Sequence, residues 1–402
     1  MIAIDFAPTI PPLDTDSLGR AQTFTQHPLP AFGAYRPNLQ KLALALQPYQ
    51  KFRQYILIGR GGSTAPFEAF YQSQQNEKSK KVFILKTASP DRIAEIKKQT
   101  NPKNTLVLAI SKSGETVDVL ENLFSFKKYP VLALTQPNQK TLHILCQNQN
   151  FGLIPHPPVG GRFSGGTETA LAPLLLSGIN ARAIYQGIQN GHVAYGPQAH
   201  PRPNKALQLA LHLFSLYQNG YDEWFIPIYS PRLAAFGEVI TQLVHESLGK
   251  NNKGVSVIVA EAPQSQHHTN QRFFGGTPNM AALFITQKKF LDTRSRAQIP
   301  RRAKNIPLRN STLRLLETYP LANAMHYEFE GTYQNAIQKQ KPAIHLELAD
   351  AKEKSVGEFY ALFCWLVTYM GWLLGVDPFD QPDVETSKLI SEQLRQQKTG
   401  NT

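Results

Sequence analysis

The stretch "LVLAISKSGETVDVL", residues 106–120, decides how the rest of the chain is read. Residues 106–110 form a short apolar run with β-branched members and polar neighbours, which predicts a strand buried on both faces. From 115 to 126 the apolar residues fall at helical spacing, so a helix is expected to begin near Thr116. Between the two stand three hydroxyls, Ser111, Ser113 and Thr116, with Lys112 and Gly114. In an open α/β sheet, ligands bind beyond the carboxyl ends of the strands. A helix N-terminus adds free N–H groups and the positive end of a dipole. Together these make a cradle for an anion, phosphate above all. The same residues would also serve an ordinary strand-to-helix junction, because Ser and Thr are good N-caps.

Outward from this stretch, strands and helices alternate. Apolar runs at 55–59, 82–86, 106–110 and 130–135 read as strands with helical patterns between them. A second series follows at 224–230, 255–262, 280–286 and 343–349. Helical stretches around 170–189 and 206–219 separate the two series. Such alternation predicts parallel sheets with crossover helices. The breakers of "GPQAHPRPN" (196–204) set a domain boundary near 195–205. The expected division is 1–50, Pro-rich and irregular with a helical pattern near 39–46; 51–200 and 201–380, two α/β domains; and 381–402, a C-terminal helix.

With 402 residues, 42% of them hydrophobic, the chain can bury the cores of two or three domains. Only Cys146 and Cys364 are present, which argues against a disulfide scaffold and for a reducing compartment, here the cytoplasm. No signal peptide is expected from the first residues. Residues 359–376, "FYALFCWLVTYMGWLLGV", lack charge over a length that could span a bilayer. The stretch is single, contains Thr368 and Gly371, and has no basic cluster at either end. It is read as a helix buried in a large domain, with no membrane partner. The net charge is +13, and the densest basic cluster is Arg294, Arg296, Arg301, Arg302, Lys304 and Arg309, without interleaved aromatics. A solvated basic loop explains that cluster, and no nucleic-acid partner is expected. A positive field would equally draw a small anionic substrate.

Five further motifs carry chemistry. "YILIGRGGSTAPFEAF" has Gly59, Gly61 and Gly62 at a strand end, but Thr64 stands where a dinucleotide fingerprint needs its third glycine. What remains is a turn at Gly62 and Ser63 apt for a polyol or phosphate, or simply a tight connection. "VGGRFSGGTETALAPL" places Arg162 beside flexible backbone, suited to an anion or to developing negative charge, or only to solvent. "TQLVHESLGK" sets Gln242 and Glu246 four apart on one helical face. A His-Glu-x-x-His zinc reading fails there because Gly249 occupies the second histidine position. "QSQHHTNQRFFGG" offers His267 and His268 as surface residues or acid–base groups, without a carboxylate or thiol cluster to suggest a metal. "DPFDQPDVETSKLISEQL" enters a helix near Val384 with Gln381 just before it and Lys388 about one turn inside, where a solvated lysine is the default.

Taken in order, these segments resemble the glucose-6-phosphate isomerase family. Its Ser-Lys-Ser/Thr-x-x-Thr phosphate loop is matched by Ser111, Lys112, Ser113 and Thr116, and its Ile-Gly-x-Gly-Gly-Ser loop by residues 58–63. Gly-Gly-Arg-Phe/Tyr-Ser is matched at 160–164, and Gln-x-x-x-Glu-Ser-x-Gly-Lys at 242–250. Gln266, His267 and Gln271 match Gln-His-x-x-x-Gln, and Gln381, Val384, Glu385 and Lys388 match Gln-x-x-Val-Glu-x-x-Lys. The similarity runs from about residue 55 to the C-terminus. Arg60 replaces an apolar residue of the family's first loop, and Pro382-Asp383 stands where a Gly often precedes the Val. The resemblance implies an α/β chain of two doubly wound parallel-sheet sugar-isomerase (SIS-type) domains with a C-terminal helical segment.

It also implies reversible conversion of glucose 6-phosphate and fructose 6-phosphate through ring opening and an enediolate. Glu246 would be the base, Arg162 the stabiliser of the enediolate oxygen, and His267 and Lys388 the ring-opening pair. Gly62, Ser63, Ser111, Lys112, Ser113, Thr116, Gln242 and Gln381 would hold the sugar phosphate. A homodimer is implied, since the counterpart of His267 comes from the neighbouring subunit, and no metal or other cofactor is. Two other readings stay open: a dual phosphoglucose/phosphomannose isomerase, and a non-catalytic sugar-phosphate sensor.

Overall fold

The computed structural model describes residues 2–13, 15–200 and 203–399. Pro201 and Arg202 of the expected boundary stretch, and residues 400–402 of the expected C-terminal segment, lie outside it. In chain order the strands are β1 (Ile2–Phe6), β2 (Gln54–Ile58), β3 (Lys81–Leu85), β4 (Thr105–Ile110), β5 (Val131–Thr135), β6 (Gly152–Pro155), β7 (Glu223–Ile228), β8 (Ser256–Glu261), β9 (Met280–Lys289), the short β10 (Pro307–Leu308) and β11 (Ser311–Thr312), and β12 (Ala343–Asp350). One sheet has the order β3-β2-β4-β5-β6, all parallel. The other has the order β1-β12-β9-β7-β8, parallel except for β1.

The eight strands expected from the sequence form within one to three residues of their anticipated ends. In the first sheet the chain runs from β2 to β3 on one side and then back past β2 to β4; in the second it runs from β7 to β8 and back past β7 to β9, with β1 added at the far edge. The switch points therefore lie between β2 and β4 in the first sheet and between β7 and β9 in the second, where ligand crevices form in such folds. Every residue of β4 is buried. Leu106, Leu108 and Ile110 join one core cluster and Val107 and Ala109 another, so the strand supplies both faces of its sheet.

Four strands were not expected: β1, β6 and the short antiparallel pair β10 and β11. The Pro-rich composition of residues 1–50 suggests irregular chain, yet Ile2–Phe6 pairs antiparallel with β12 from Ile2↔Leu348 to Phe6↔Ile344. It caps the edge of the second sheet, turning Ile2, Ile4 and Phe6 toward the core and leaving Ala3 and Asp5 exposed. Strand β6 is only four residues with Gly152 and Pro155 at its ends, too short to give a period-two signal. The helical pattern near 39–46 is the helix Leu39–Leu46, capped by the Asn38 side chain.

The uncharged stretch near 359–376 lies in the helix Glu353–Leu374, and 89% of its apolar window is buried inside the protein. Its main neighbour is the helix Ala181–Tyr195. The two approach until their backbones touch. A Cβ on Gly187 would lie 2.0 Å from the Lys354 carbonyl oxygen, and one on Gly357 would lie 2.1 Å from that of Ile184. Buried polar groups pin the crossing: Trp365 Nε1 donates to His192 Nδ1 at 3.1 Å, and the Tyr195 hydroxyl donates to Glu358 Oε1 at 2.7 Å.

Two outcomes follow. Gly187→Ala should destabilise the protein by about 1–3 kcal/mol through overpacking against backbone. Gly331→Ala, in the helix Leu321–Gln338 with nothing within 4 Å of the added Cβ, should be neutral or stabilising. Thermal unfolding of both variants checks the pair. Burial pushes His192 down to about 3, so in the folded state it stays neutral where the unfolded chain protonates near its ordinary 6.5. Stability from this group is complete above pH ~6.5 and is lost as pH falls toward ~3, on the order of 2 kcal/mol at about pH 5. Denaturant midpoints across that range measure it.

Candidate active site

Three glycine-bearing loops and one helix meet beside the first switch point. The loop after β2 is the hub. A Cβ on Gly59 would press on the Ile110 carbonyl at 3.4 Å, so this loop lies against the end of β4. Gly61 has φ +52°, and a Cβ there would meet Gln242 Nε2 at 3.1 Å. A Cβ on Gly62 would fall 2.2 Å from Gly161 C and 2.2 Å from Arg162 N, so only glycine lets the two loops lie backbone to backbone. The Ser164 hydroxyl closes the contact by donating to the Gly62 carbonyl at 3.2 Å. Ser63 is half-buried and ends a single 3₁₀ turn.

The loop after β4 is built by its own hydroxyls. Ser111 and Thr116 share a hydrogen bond of 2.9 Å, and Ser111 Oγ also accepts from the Gly114 N–H at 3.1 Å. Ser113 Oγ accepts from the Glu115 N–H at 3.2 Å. Gly114 sits at φ +76°, where a side chain would press on Thr135 Oγ1, itself buried with no hydrogen-bond partner. Thr116 is the N-cap residue of the helix Val117–Ser125, as expected, though its side chain makes no capping bond. Ser111 is buried while Lys112 and Ser113 are exposed, so the loop presents its outer rim to solvent.

Arg162 is the most heavily bonded side chain of the site. It is 4% exposed. Its Nε donates to Ser247 Oγ at 2.9 Å, and Nη1 donates to Glu246 Oε2 at 3.1 Å and Gln381 Oε1 at 3.2 Å. Its Nη2 donates to the carbonyls of Pro378 at 2.6 Å, Asp380 at 2.9 Å and Glu246 at 3.4 Å. Burial pulls the Arg162 guanidinium downward, opposed by Glu246, Asp380 and Asp377. The other Glu246 oxygen accepts from Gln242 Nε2 at 2.9 Å, one turn back on the helix Gly237–Leu248. The Glu246 side chain is 28% exposed against 3% for Arg162, so the carboxylate is open to a ligand and the guanidinium braces it from behind.

Arg162, Glu246, Gln242 and Gln381 thus form one bonded cluster, with Gly62 against its edge. His267 and Lys388 are not brought into it. His267 is exposed in the 3₁₀ turn Gln264–His267, and no hydrogen bond or ion pair among the described residues joins it to Glu246 or Arg162. Lys388 pairs with Glu385 at 2.6 Å on the helix Glu385–Thr399 and is half-exposed. Two supporting residues escaped the sequence reading. Ser247 receives Arg162 Nε, and Lys250, buried at the end of the same helix, pairs with Asp380 at 2.6 Å. Both lie inside the Gln-x-x-x-Glu-Ser-x-Gly-Lys segment, whose length was the available signal. Among the described residues, no group of three or more His, Cys, Asp or Glu side chains is gathered as a metal would need.

Both main sheets are doubly wound, and the class is the sugar-isomerase (SIS-type) α/β fold. Solved structures share the fold. A hypothetical protein from Thermus thermophilus aligns with TM-score 0.80 at 23% identity, over 93% of this chain and 90% of that one. A glucose-6-phosphate isomerase from Chlamydia trachomatis aligns with TM-score 0.71 at 19% identity, over 94% of this chain and 78% of that one. In sequence the chain resembles curated glucose-6-phosphate isomerases along most of its length. One from Thermus thermophilus is 27% identical over 357 residues, 84% of this chain and 82% of its own. That of Acholeplasma laidlawii is 26% identical over 371 residues, 88% of this chain and 85% of its own. No model of a known protein family matches the chain.

Arg162→Met should cost about 3 kcal/mol of stability, because it strands the Pro378 and Asp380 carbonyls and leaves Glu246 without its brace. Denaturant midpoints of the variant and the parent measure the difference.

Proposed function

We propose that the chain is a glucose-6-phosphate isomerase that interconverts glucose 6-phosphate and fructose 6-phosphate. The observation that carries this reading is the Glu246 carboxylate, held at one oxygen by Arg162 and at the other by Gln242, with part of its surface exposed. In this reading Ser111, Ser113 and Thr116 hold the substrate phosphate with the N–H groups at the start of the helix Val117–Ser125. Lys112 adds charge at the rim, and Gly62 and Ser63 admit the sugar close to backbone. Gripping the phosphate away from the reacting carbons turns remote binding energy into positioning.

His267 and Lys388 act on the ring oxygen and its hydroxyl to open the sugar. Glu246 then takes the proton from C2 and returns it to C1, and Arg162 stands where the enediolate oxygen gathers negative charge. Gln242 and Gln381 keep carboxylate and guanidinium in register. The enzyme works as a homodimer in this reading, which the exposure of His267 in its own chain supports. Its compartment is the cytoplasm and its pathway glycolysis and gluconeogenesis, with both cysteines buried and free. Residues 51–200 and 201–380 are its two SIS-type domains, with β1 added to the second sheet and 381–402 forming the Lys388 arm.

Purified protein in chelator, coupled to a dehydrogenase, should convert fructose 6-phosphate to glucose 6-phosphate. Glu246→Gln should lower kcat by about 10²- to 10⁴-fold with KM little changed. A coupled assay on mannose 6-phosphate decides the dual isomerase. Absence of turnover in folded wild-type protein, with phosphosugar binding that depends on Ser111 and Thr116, would replace the isomerase by a sensor.

A further inference from the structure

The helix Glu385–Thr399 carries Lys388 and buries none of residues 385–397, all of which are exposed in this chain. It is tied to the body at both ends. Before it, Gln381 bonds to Arg162, and Lys250 holds Asp380. Near its far end Arg395 reaches the helix that starts at the anion loop. Arg395 Nε donates to Glu121 Oε1 at 2.9 Å, and Nη2 donates to Glu121 Oε2 at 3.2 Å and to Asp118 Oδ1 at 3.1 Å. The other Asp118 oxygen takes Arg60 of the loop after β2. Arg60, Asp118, Glu121 and Arg395 therefore form one charge network joining the first glycine loop, the anion-loop helix and the Lys388 helix.

Arg395 and Lys388 are seven residues apart, two helical turns and about 10 Å along one face. Lys388 is thus bracketed between a bond to the Arg162 cluster and a bond to the anion-loop helix. We infer that Arg395, clamped by Asp118 and Glu121, is a positioning residue that docks the C-terminal helix and sets Lys388 over the sugar-phosphate site. The inference rests on the ring-opening role given to Lys388 above. Exposed ion pairs are individually weak and screened by salt. Residues 385–397 of the helix are all exposed, so even a weak network governs how much of the time it is docked.

The test uses the full chain. Arg395→Glu should speed hydrogen exchange of the amides of 385–399 and lower kcat about fivefold, with KM within about twofold and the thermal midpoint unchanged. Arg395→Lys should recover most of the loss. Added salt should lower the wild-type kcat and leave that of Arg395→Glu flat. In a Lys388→Ala background, Arg395→Glu should cause no further loss. Unchanged exchange in Arg395→Glu, or the same fold-loss with and without Lys388, overturns the inference. A wild type without turnover overturns the isomerase reading and the catalytic part of this one, while the exchange data still decide the docking.

Discussion

The buried guanidinium of Arg162 is the point at which three distant pieces of chain are held together. Its own segment follows the first sheet, Glu246 and Ser247 belong to a helix of the second, and Pro378, Asp380 and Gln381 come from the turn leading to the C-terminal helix. A planar donor with five N–H groups can serve acceptors on several sides at once, which a lysine in the same place could not. Because the Arg162 loop is pressed on Gly62, the first switch point is fixed relative to the second sheet. The carboxylate of Glu246 is therefore aimed by contacts that span the whole molecule.

The joint between the two sheets is made by close helix crossing. Gly187, Gly191 and Gly357 bring the helices Ala181–Tyr195 and Glu353–Leu374 to backbone contact, with a Cβ on Gly191 only 2.5 Å from that of Ala361. From residue 359 onward the long helix carries no charge, and its apolar window is 89% buried in protein. A run of residues that by length and composition could lie in a bilayer is here the spine of an interior, and the small residues along it are what set the spacing.

Much of this was legible in the sequence, for physical reasons that differ element by element. Central parallel strands such as β4 bury both faces, so their apolar runs stand out. The edge strands β3 and β8 were legible too, but Ile2–Phe6 lies in a Pro-rich stretch and Gly152–Pro155 is only four residues, and neither gave a comparable signal. In the site, Gln242 and Glu246 were readable as a pair because helical spacing of four places them on one face. The six bonds of Arg162 were not readable, because they join positions up to 219 residues apart. Lys388 shows the converse. Its motif was plain, but its placement depends on a helix without buried residues, so the sequence could name the side chain and not its surroundings.

The pairing of β1 with β12 joins residues about 340 positions apart. On a ribosome adding about 5–20 residues per second, the first strand would wait roughly 20–70 s for the strand beside which it finally lies. The all-parallel first sheet can complete itself in that interval, while the second sheet cannot be finished until nearly the whole chain has been made. The edge strand closes the molecule at the end of synthesis although it is made at the beginning. That order sets a long window in which an unpaired strand must be kept from pairing with a neighbour's.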